Sequence, residues 1–424
     1  MATYLSPGVY VEEVPSAIKA IAGVSTSTAA FIGIVPDTVQ LAARNPSFDP
    51  NDPASTTFKF VDFTVPTAAK VPVLITNWAQ FTRTFGDLVG DPKLPASAAA
   101  PATDPGYQQL AHAVYGFFNN GGSRCFVTRI TAEADLAGVL NALAAIDEIA
   151  LVCAPGQTTD SIRDAIVAHC ALVGDRFAIL DSLQAVQDLT TLTRIAADPN
   201  PGGVMPKTSD MAAWYYPWIK VFDPATQLQD PTTGGALPVP PSGHIAGIYA
   251  RVDTERGVFK SPANEVIRGA LNVTHALSKA DQDTLNPKGV NALRVLNDNI
   301  YVWGARTIGG DANTDLKYVS VRRTLLFLRE SIDQGTQWVV FEPNTPALWA
   351  KITRNVTAFL TTVWRSGALF GNTAQEAFFV KCDAETNPQS QIDNGQVVTE
   401  IGVAIARPAE FVIFRVSQSA PSIK

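Results

Sequence analysis

Three short runs constrain this chain most. CFVTRI (125–130), IALVCA (149–154) and FAIL (177–180) are apolar or β-forming along nearly their whole length. A strand with one wet face alternates apolar and polar residues; a strand apolar throughout must be covered on both faces. Segments with helical spacing lie between these runs and can supply the cover. The segment YQQLAHAVYGFFN (107–119) sets Leu110, Val114, Phe117 and Phe118 along one side, and NNGG stops it. Further helices are expected over 136–146 and 160–172. Strands alternating with helices predict a mainly parallel sheet with helices on both faces, so residues 107–315 read as an α/β domain.

The flanks have a different texture. On the N-terminal side, STSTAAFIGIV (25–35), FKFVDFTV (58–65) and VPVLIT (71–76) read as strands, and WAQFTRTFG (78–86) as a helix closed by glycine. Residues 36–70 are rich in Pro, Asp, Asn and Thr, and 90–106 form a Pro/Ala-rich linker. This portion reads as a small β-rich module with an insertion. Beyond 318 the pattern is helical. Val321, Leu325, Leu328 and Ile332 mark one apolar stripe, with Arg322, Arg323, Arg329 and Glu330 off it. Leu348, Ile352, Val356, Phe359 and Val363 mark a second. Two strands, 397–406 and 410–418, follow. At the other end, 4–14 is a β-rich segment after Pro7-Gly8 with no partner nearby in the chain.

The search for chemistry is short. GxGxxG, GxxxxGK[ST], HExxH and GxSxG do not occur. The four histidines, His112, His169, His244 and His275, form no cluster with metal-ligating spacing. Cys125, Cys153, Cys170 and Cys382 are too scattered for a zinc site or disulfide framework, and Cys125 and Cys153 read as buried thiols. Lys and Arg number 32 against 39 Asp and Glu, a net charge of −7, so no nucleic-acid footprint is expected. No apolar run reaches the roughly 18 residues of a membrane span. The N-terminus lacks a signal-peptide pattern, which predicts assembly in the cytoplasm. Charged residues are only 17% of the chain, below the usual figure of about 25%. That shortfall predicts much surface hidden in a core or against other chains. Stretches such as YYPWIKVFDP (215–224), PPSGHIAGIYARVDTERGVFKSPAN (240–264), LNPKGVNALRV (285–295) and YVWGARTI (301–308) are dense in Pro, Gly and aromatics, and read as loops of fixed shape.

Those stretches also carry a resemblance. With SPGVYVEEV, GVSTSTAAFIG, NWAQFTRTFG, AVYGFFNNGGSRCFVTRI, VRRTLLFLRESID, WVVFEPNTPALWAKI, GALFGNTAQEAFFVKCDAETN and IARPAEFVIFRVSQ, in that order, the chain resembles the contractile tail sheath proteins of phage tails and phage-tail-like injection systems. The resemblance implies α/β plus α+β architecture. An N-terminal linking arm (1–25) precedes the β-rich module (26–106, variable insertion 36–70). Then come the α/β domain (107–315) with subtilisin-like topology, an inner C-terminal α+β domain (316–406) and a C-terminal linking arm (407–424). It implies a structural protein rather than an enzyme, with no cofactor. Copies of such proteins stack as hexameric rings in a helical sleeve around an inner tube. The sleeve shortens from a metastable extended state and drives the tube through a membrane. Partners would be further copies of the chain, the tube protein, baseplate and terminator or cap proteins, and sister sheath proteins where they exist, without nucleic acid and without direct membrane insertion. The particle would be a phage tail or tail-like device.

Two readings of the terminal strands stand side by side. Val9, Tyr10, Val11, Glu12, Glu13 and Val14 can pair with Phe411, Val412, Ile413, Phe414, Arg415 and Val416 within one subunit. Alternatively, as the resemblance implies, each set reaches a neighbouring subunit and adds a strand to its sheet. Arg322, Arg323, Arg329, Glu330, Lys351 and Arg354 are the candidates for facing the tube, with Asp333 and Arg365 beside them; intrahelical pairing or solvation is the plainer alternative. Two other classes remain at this stage: a hydrolase on an α/β fold, which needs a nucleophile elbow or metal cluster, and a monomeric binding module, which tolerates loss of its termini.

Overall fold

The structure, a computed structural model, describes residues 20–53, 55–196 and 202–414. The expected strand at Val9 to Val14 lies outside them, as do Arg415 and Val416. The chain divides into two compact units. One holds Val24–Arg329 and, among the described residues, 405–414; the other holds 20–23 and Glu330–Ala404.

The first unit is organised on a nine-stranded sheet. In spatial order its strands are Glu265–Val266, Asn299–Val302, Val290–Leu296, Ala212–Tyr216, Phe177–Asp181, Leu151–Cys153, Ala29–Ile34, Cys125–Ile130 and Val73–Ile75. Every neighbouring pair from Val290–Leu296 to Cys125–Ile130 is parallel, and antiparallel strands finish both edges. The parallel strands are buried as their composition requires: all residues of Cys125–Ile130, Leu151–Cys153, Phe177–Asp181 and Ala212–Tyr216 are enclosed. Fully burying one Val, Leu, Ile or Phe side chain stabilises by about 1.5–3 kcal/mol, so this sheet anchors the unit. Helix Pro105–Asn119 packs on Ala29–Ile34, Leu136–Ala144 on Cys125–Ile130, Asp160–Val173 on Phe177–Asp181, and Ser242–Glu255 on Leu151–Cys153 and Phe177–Asp181.

Two expectations are revised. Among its described residues, the segment 26–106 forms one sheet of its own, the hairpin Thr38–Arg44/Phe58–Thr64, because Ala29–Ile34 inserts between Cys125–Ile130 and Leu151–Cys153 in the large sheet and Val73–Ile75 joins its edge. Its AAFIGI sequence, buried at Ala29, Ala30, Phe31 and Ile32, suits that central place. Residues 240–264 are not mainly loop: Ser242–Glu255 is a fourteen-residue helix buried along most of its length. Its glycines disguised it. A Cβ on Gly243 would sit 2.3 Å from the backbone of Ala113, and one on Gly247 2.4 Å from the Phe117 carbonyl. Both positions are bare so that two helices can approach at backbone distance.

In the second unit, helix Pro346–Arg365 buries Leu348, Ile352, Val356, Phe359 and Val363, the stripe expected of it. Strands Phe378–Lys381 and Glu400–Val403 pair antiparallel as a two-stranded sheet. Among the described residues, no helix is long and apolar enough to cross a membrane.

Candidate assembly site

Both terminal segments enter the first unit through an arginine. At the N-terminal side the anchor is Arg323, on helix Val319–Thr336. Its Nη1 and Nη2 donate to the two carboxylate oxygens of Asp253 at 2.9 and 2.6 Å, and Nη2 also donates to the Thr26 carbonyl at 2.8 Å. The Thr26 hydroxyl donates to the same carboxylate at 2.5 Å. The guanidinium lies 4.7 Å from the centre of the Tyr249 ring, whose hydroxyl shares a 2.7 Å hydrogen bond with Tyr215. Arg323 and Asp253 are only 3% and 5% exposed. Burial disfavours the arginine charge, but the Asp253 carboxylate outweighs it and holds the guanidinium protonated.

At the C-terminal side the anchor is Arg306. Glu410 takes a two-pronged contact from it, Nε to Oε1 and Nη2 to Oε2, both at 2.8 Å. Asn286 donates to Oε1 at 2.8 Å and the Tyr318 hydroxyl to Oε2 at 3.0 Å, so each carboxylate oxygen accepts twice. Burial pushes the Glu410 carboxyl up, but these hydrogen bonds and the arginine charge outweigh it and hold it below the ordinary glutamate value. Arg306 is itself fixed: its backbone N–H donates to Asn291 Oδ1 at 2.7 Å, and Asn291 returns a 2.8 Å bond to its carbonyl. Asn291 sits fully buried in strand Val290–Leu296. Immediately after Glu410 the environment reverses. Phe411, Val412, Ile413 and Phe414 are exposed by 69%, 70%, 77% and 86%. They form no strand in this single chain, although 410–418 has a strand's composition. A β-segment needs a ladder partner, and the described part of the chain gives these residues none.

The charged candidates separate by location. Arg323 is spent inside the first unit. Arg322 is half-buried, with its Nε 3.0 Å from the Met211 sulfur and 3.4 Å from Asp210. Both are engaged within the first unit, although the sequence sets them off the apolar stripe. The helix is buried on more than that stripe, because Ser320, Thr324 and Leu326 are enclosed too. Arg329 is exposed, but its guanidinium lies over Gly174, the left-handed cap of helix Asp160–Val173, where it faces the negative helix end. Glu330 accepts from Gln334 at 2.7 Å. Lys351 and Arg354, one turn apart on helix Pro346–Arg365, are exposed and form no ion pair with a described residue, as does Arg365 at its end.

Other polar groups serve the interior. Asp181, at the end of a central strand, accepts from the Ser242 N–H and hydroxyl at 2.8 and 2.7 Å and from the Gly156 N–H at 3.1 Å; burial still raises its pKa to about 6. His112 and Asp223 share a 3.0 Å hydrogen bond with 2% exposure each. Cys125, Cys153 and Cys170 are free thiols in the core. Among the described residues, no group of three or more His, Cys, Asp or Glu side chains is placed to hold a metal ion. The arrangement therefore offers surfaces and tethers: an anchored chain that emerges apolar, and a sheet in which the described residues supply two strands.

Comparison with known proteins gives these features a context. The family description "Phage tail sheath protein central domain" matches residues 132–308, and "Phage tail sheath C-terminal domain" matches 311–419. The chain belongs to the contractile tail sheath family. It is 29% identical over 203 residues, 46% of its length and 50% of the other's, to a putative prophage major tail sheath protein of Pseudomonas aeruginosa (strain UCBPP-PA14). The chain spans about half the length of the curated sheath relatives it matches. Its likeness to solved structures runs end to end. A chain of the anti-feeding prophage baseplate, six-fold symmetrised, is similar over 99% of this chain and 100% of its own, with TM-score 0.67 and 29% identity. A chain of the anti-feeding prophage helical sheath in its contracted state is similar over 98% and 100%, with TM-score 0.68 and 28% identity. As a sheath protein, the chain is a component of a phage tail or tail-like particle.

Proposed function

We propose that this sheath protein polymerises as hexameric rings stacked in a helical sleeve around an inner tube, and contracts from an extended metastable state to drive the tube through a membrane. The observation that carries the reading is the exposed run Phe411 to Phe414, without a ladder partner among the described residues, leaving a fixed root. Four consecutive apolar residues at such exposure are an aggregation hazard unless they are an interface. In the sleeve, the C-terminal arm of one copy adds a strand beside Phe378–Lys381 or Glu400–Val403 of another, and the arm of Val9 to Val14 does the same. Backbone ladders are directional, and the contact is head-to-tail, so it propagates. The related chains in six-fold symmetrised and helical sheath structures support this geometry.

No nucleotide is needed: the work comes from the difference between two packings of the same subunits. Lys351 and Arg354 are the best-placed charges for a breakable grip on the tube, with Arg329 and Glu330 as outlying contributors. The domain scheme drawn from the sequence, including a subtilisin-like middle domain, belongs to this reading as a statement of fold alone. So do cytoplasmic assembly, a structural rather than enzymatic role, and the tube, baseplate, terminator and sister-sheath partners.

Electron microscopy of the purified chain, alone and with tube and baseplate proteins, beside variants lacking 1–14 or 411–424, tests the reading. Striated hollow sleeves from the full chain, and only rings or monomers from the truncations, are expected. Sleeves from both truncations return the arms to an intramolecular role. No sleeve from the full chain with its partners present rejects the function.

A further inference from the structure

We propose that the Glu410–Arg306 clamp is a mooring under tension, which passes a pull on the C-terminal arm into the nine-stranded sheet while the sleeve changes length. This deepens the linking-arm reading above and rests on it.

A linking arm carries force only if its root is held as firmly as its tip. The last side chain held before the exposed run is Glu410, and it accepts four hydrogen bonds from three residues: Arg306, Asn286 and Tyr318. Those residues lie 92 to 124 positions away in sequence, so the clamp is tertiary and does not come undone with local fraying. Two charge-assisted bonds in parallel resist a pull better than one, because both must lengthen together. Behind the clamp the path continues without slack. Asn291 grips both backbone groups of Arg306. Asn291 is paired with Tyr215 of the neighbouring parallel strand, and that strand is paired with Phe177–Asp181. The remaining guanidinium nitrogen is occupied by the Asn286 carbonyl at 3.1 Å and Asp311 at 3.0 Å, so the fork cannot swivel. The boundary is sharp: Glu410 is 20% exposed and Phe411 is 69% exposed. The moving part of the arm therefore begins at residue 411, and Glu410 travels with the sheet.

The test uses the particle that carries this chain, with Glu410→Gln, Glu410→Ala and a truncation of 411–424. Ile166→Val, in a core helix away from both arms, serves as the control for a general loss of stability. Sleeves are scored by negative-stain microscopy before and after contraction by a brief temperature step, and the isolated chains by urea midpoint. Glu410→Ala is expected to build sleeves of normal length that break several-fold more often on contraction. Glu410→Gln should be intermediate, and Ile166→Val unbroken despite its lower midpoint. Intact contraction of Glu410→Ala sleeves overturns the mooring. So does failure of both Glu410 variants to assemble where Ile166→Val assembles, because the clamp is then a building contact rather than a load path. The truncation separates the two ideas: if it assembles and contracts unbroken, the linking-arm reading itself falls.

Discussion

Arg323 and Arg306 hold opposite ends of the chain to the same unit, yet they are built differently. Arg323 and Asp253 are sealed, with a backbone carbonyl and a tyrosine ring completing the cage. Arg306 is as deeply buried, but its partner Glu410 stands at the boundary, 20% exposed. A sealed pair has no water to replace a lost partner, so removing one member leaves a bare charge in the interior. A boundary pair can be resolvated and made again. The N-terminal root is thus part of the fold, and the C-terminal root is a fitting attached to it.

The sharpest way to break that contrast is Asp253→Ala. It should cost about 3–5 kcal/mol by strand-and-helix unfolding in urea, because Arg323 is left uncompensated. Glu410→Ala should cost less, about 1.5–3 kcal/mol, as expected for charge-assisted hydrogen bonds at a partly wet site. Equal costs would mean that the two roots are equivalent. Acid gives a second handle on the C-terminal root. Glu410 titrates below its unfolded value when folded, so its contribution is present above about pH 4.3 and is lost as pH falls through the folded value. Glu410→Gln should remove that loss.

Asp181 works in the opposite direction. Its folded pKa is raised to about 6, so the native state binds the proton more tightly, and stability declines as pH rises from about 4 to about 6. Asp181→Asn should flatten that slope, read as the difference from the unsubstituted chain in urea midpoints measured across pH 3–7. The smallest expected effect is Tyr318→Phe, which deletes one of the four bonds to Glu410 and should cost about 0.5–1.5 kcal/mol. A larger loss would place the tyrosine, rather than the arginine, at the centre of the clamp.

Much of the sheet was legible because its signal is local. Runs apolar on both faces announced Cys125–Ile130, Leu151–Cys153 and Phe177–Asp181, and the stripe from Leu348 to Val363 announced a helix. What escaped the sequence was pairing over distance. Arg323 finds Asp253 seventy positions away, and Arg306 finds Glu410 at 104; no spacing rule connects them. Helix Ser242–Glu255 escaped for another reason. Gly243 and Gly247, which lower helix propensity, are required by the neighbouring helix, so tertiary packing overrode the local signal. The run from Phe411 to Phe414 reads as a strand and is not one here, since half of a strand's definition lies in its partner.

The place of Ala29–Ile34 in the sheet has a consequence for timing. This strand appears early in synthesis, yet its neighbours are Cys125–Ile130 and Leu151–Cys153. It has no seat until the ribosome has delivered both, and pairing across such a separation closes slowly. A nascent chain that presents apolar β-segments without a finished sheet is open to wrong partners. The delay sets a quality gate: the nine-stranded sheet cannot close before Ala29–Ile34 has been taken in.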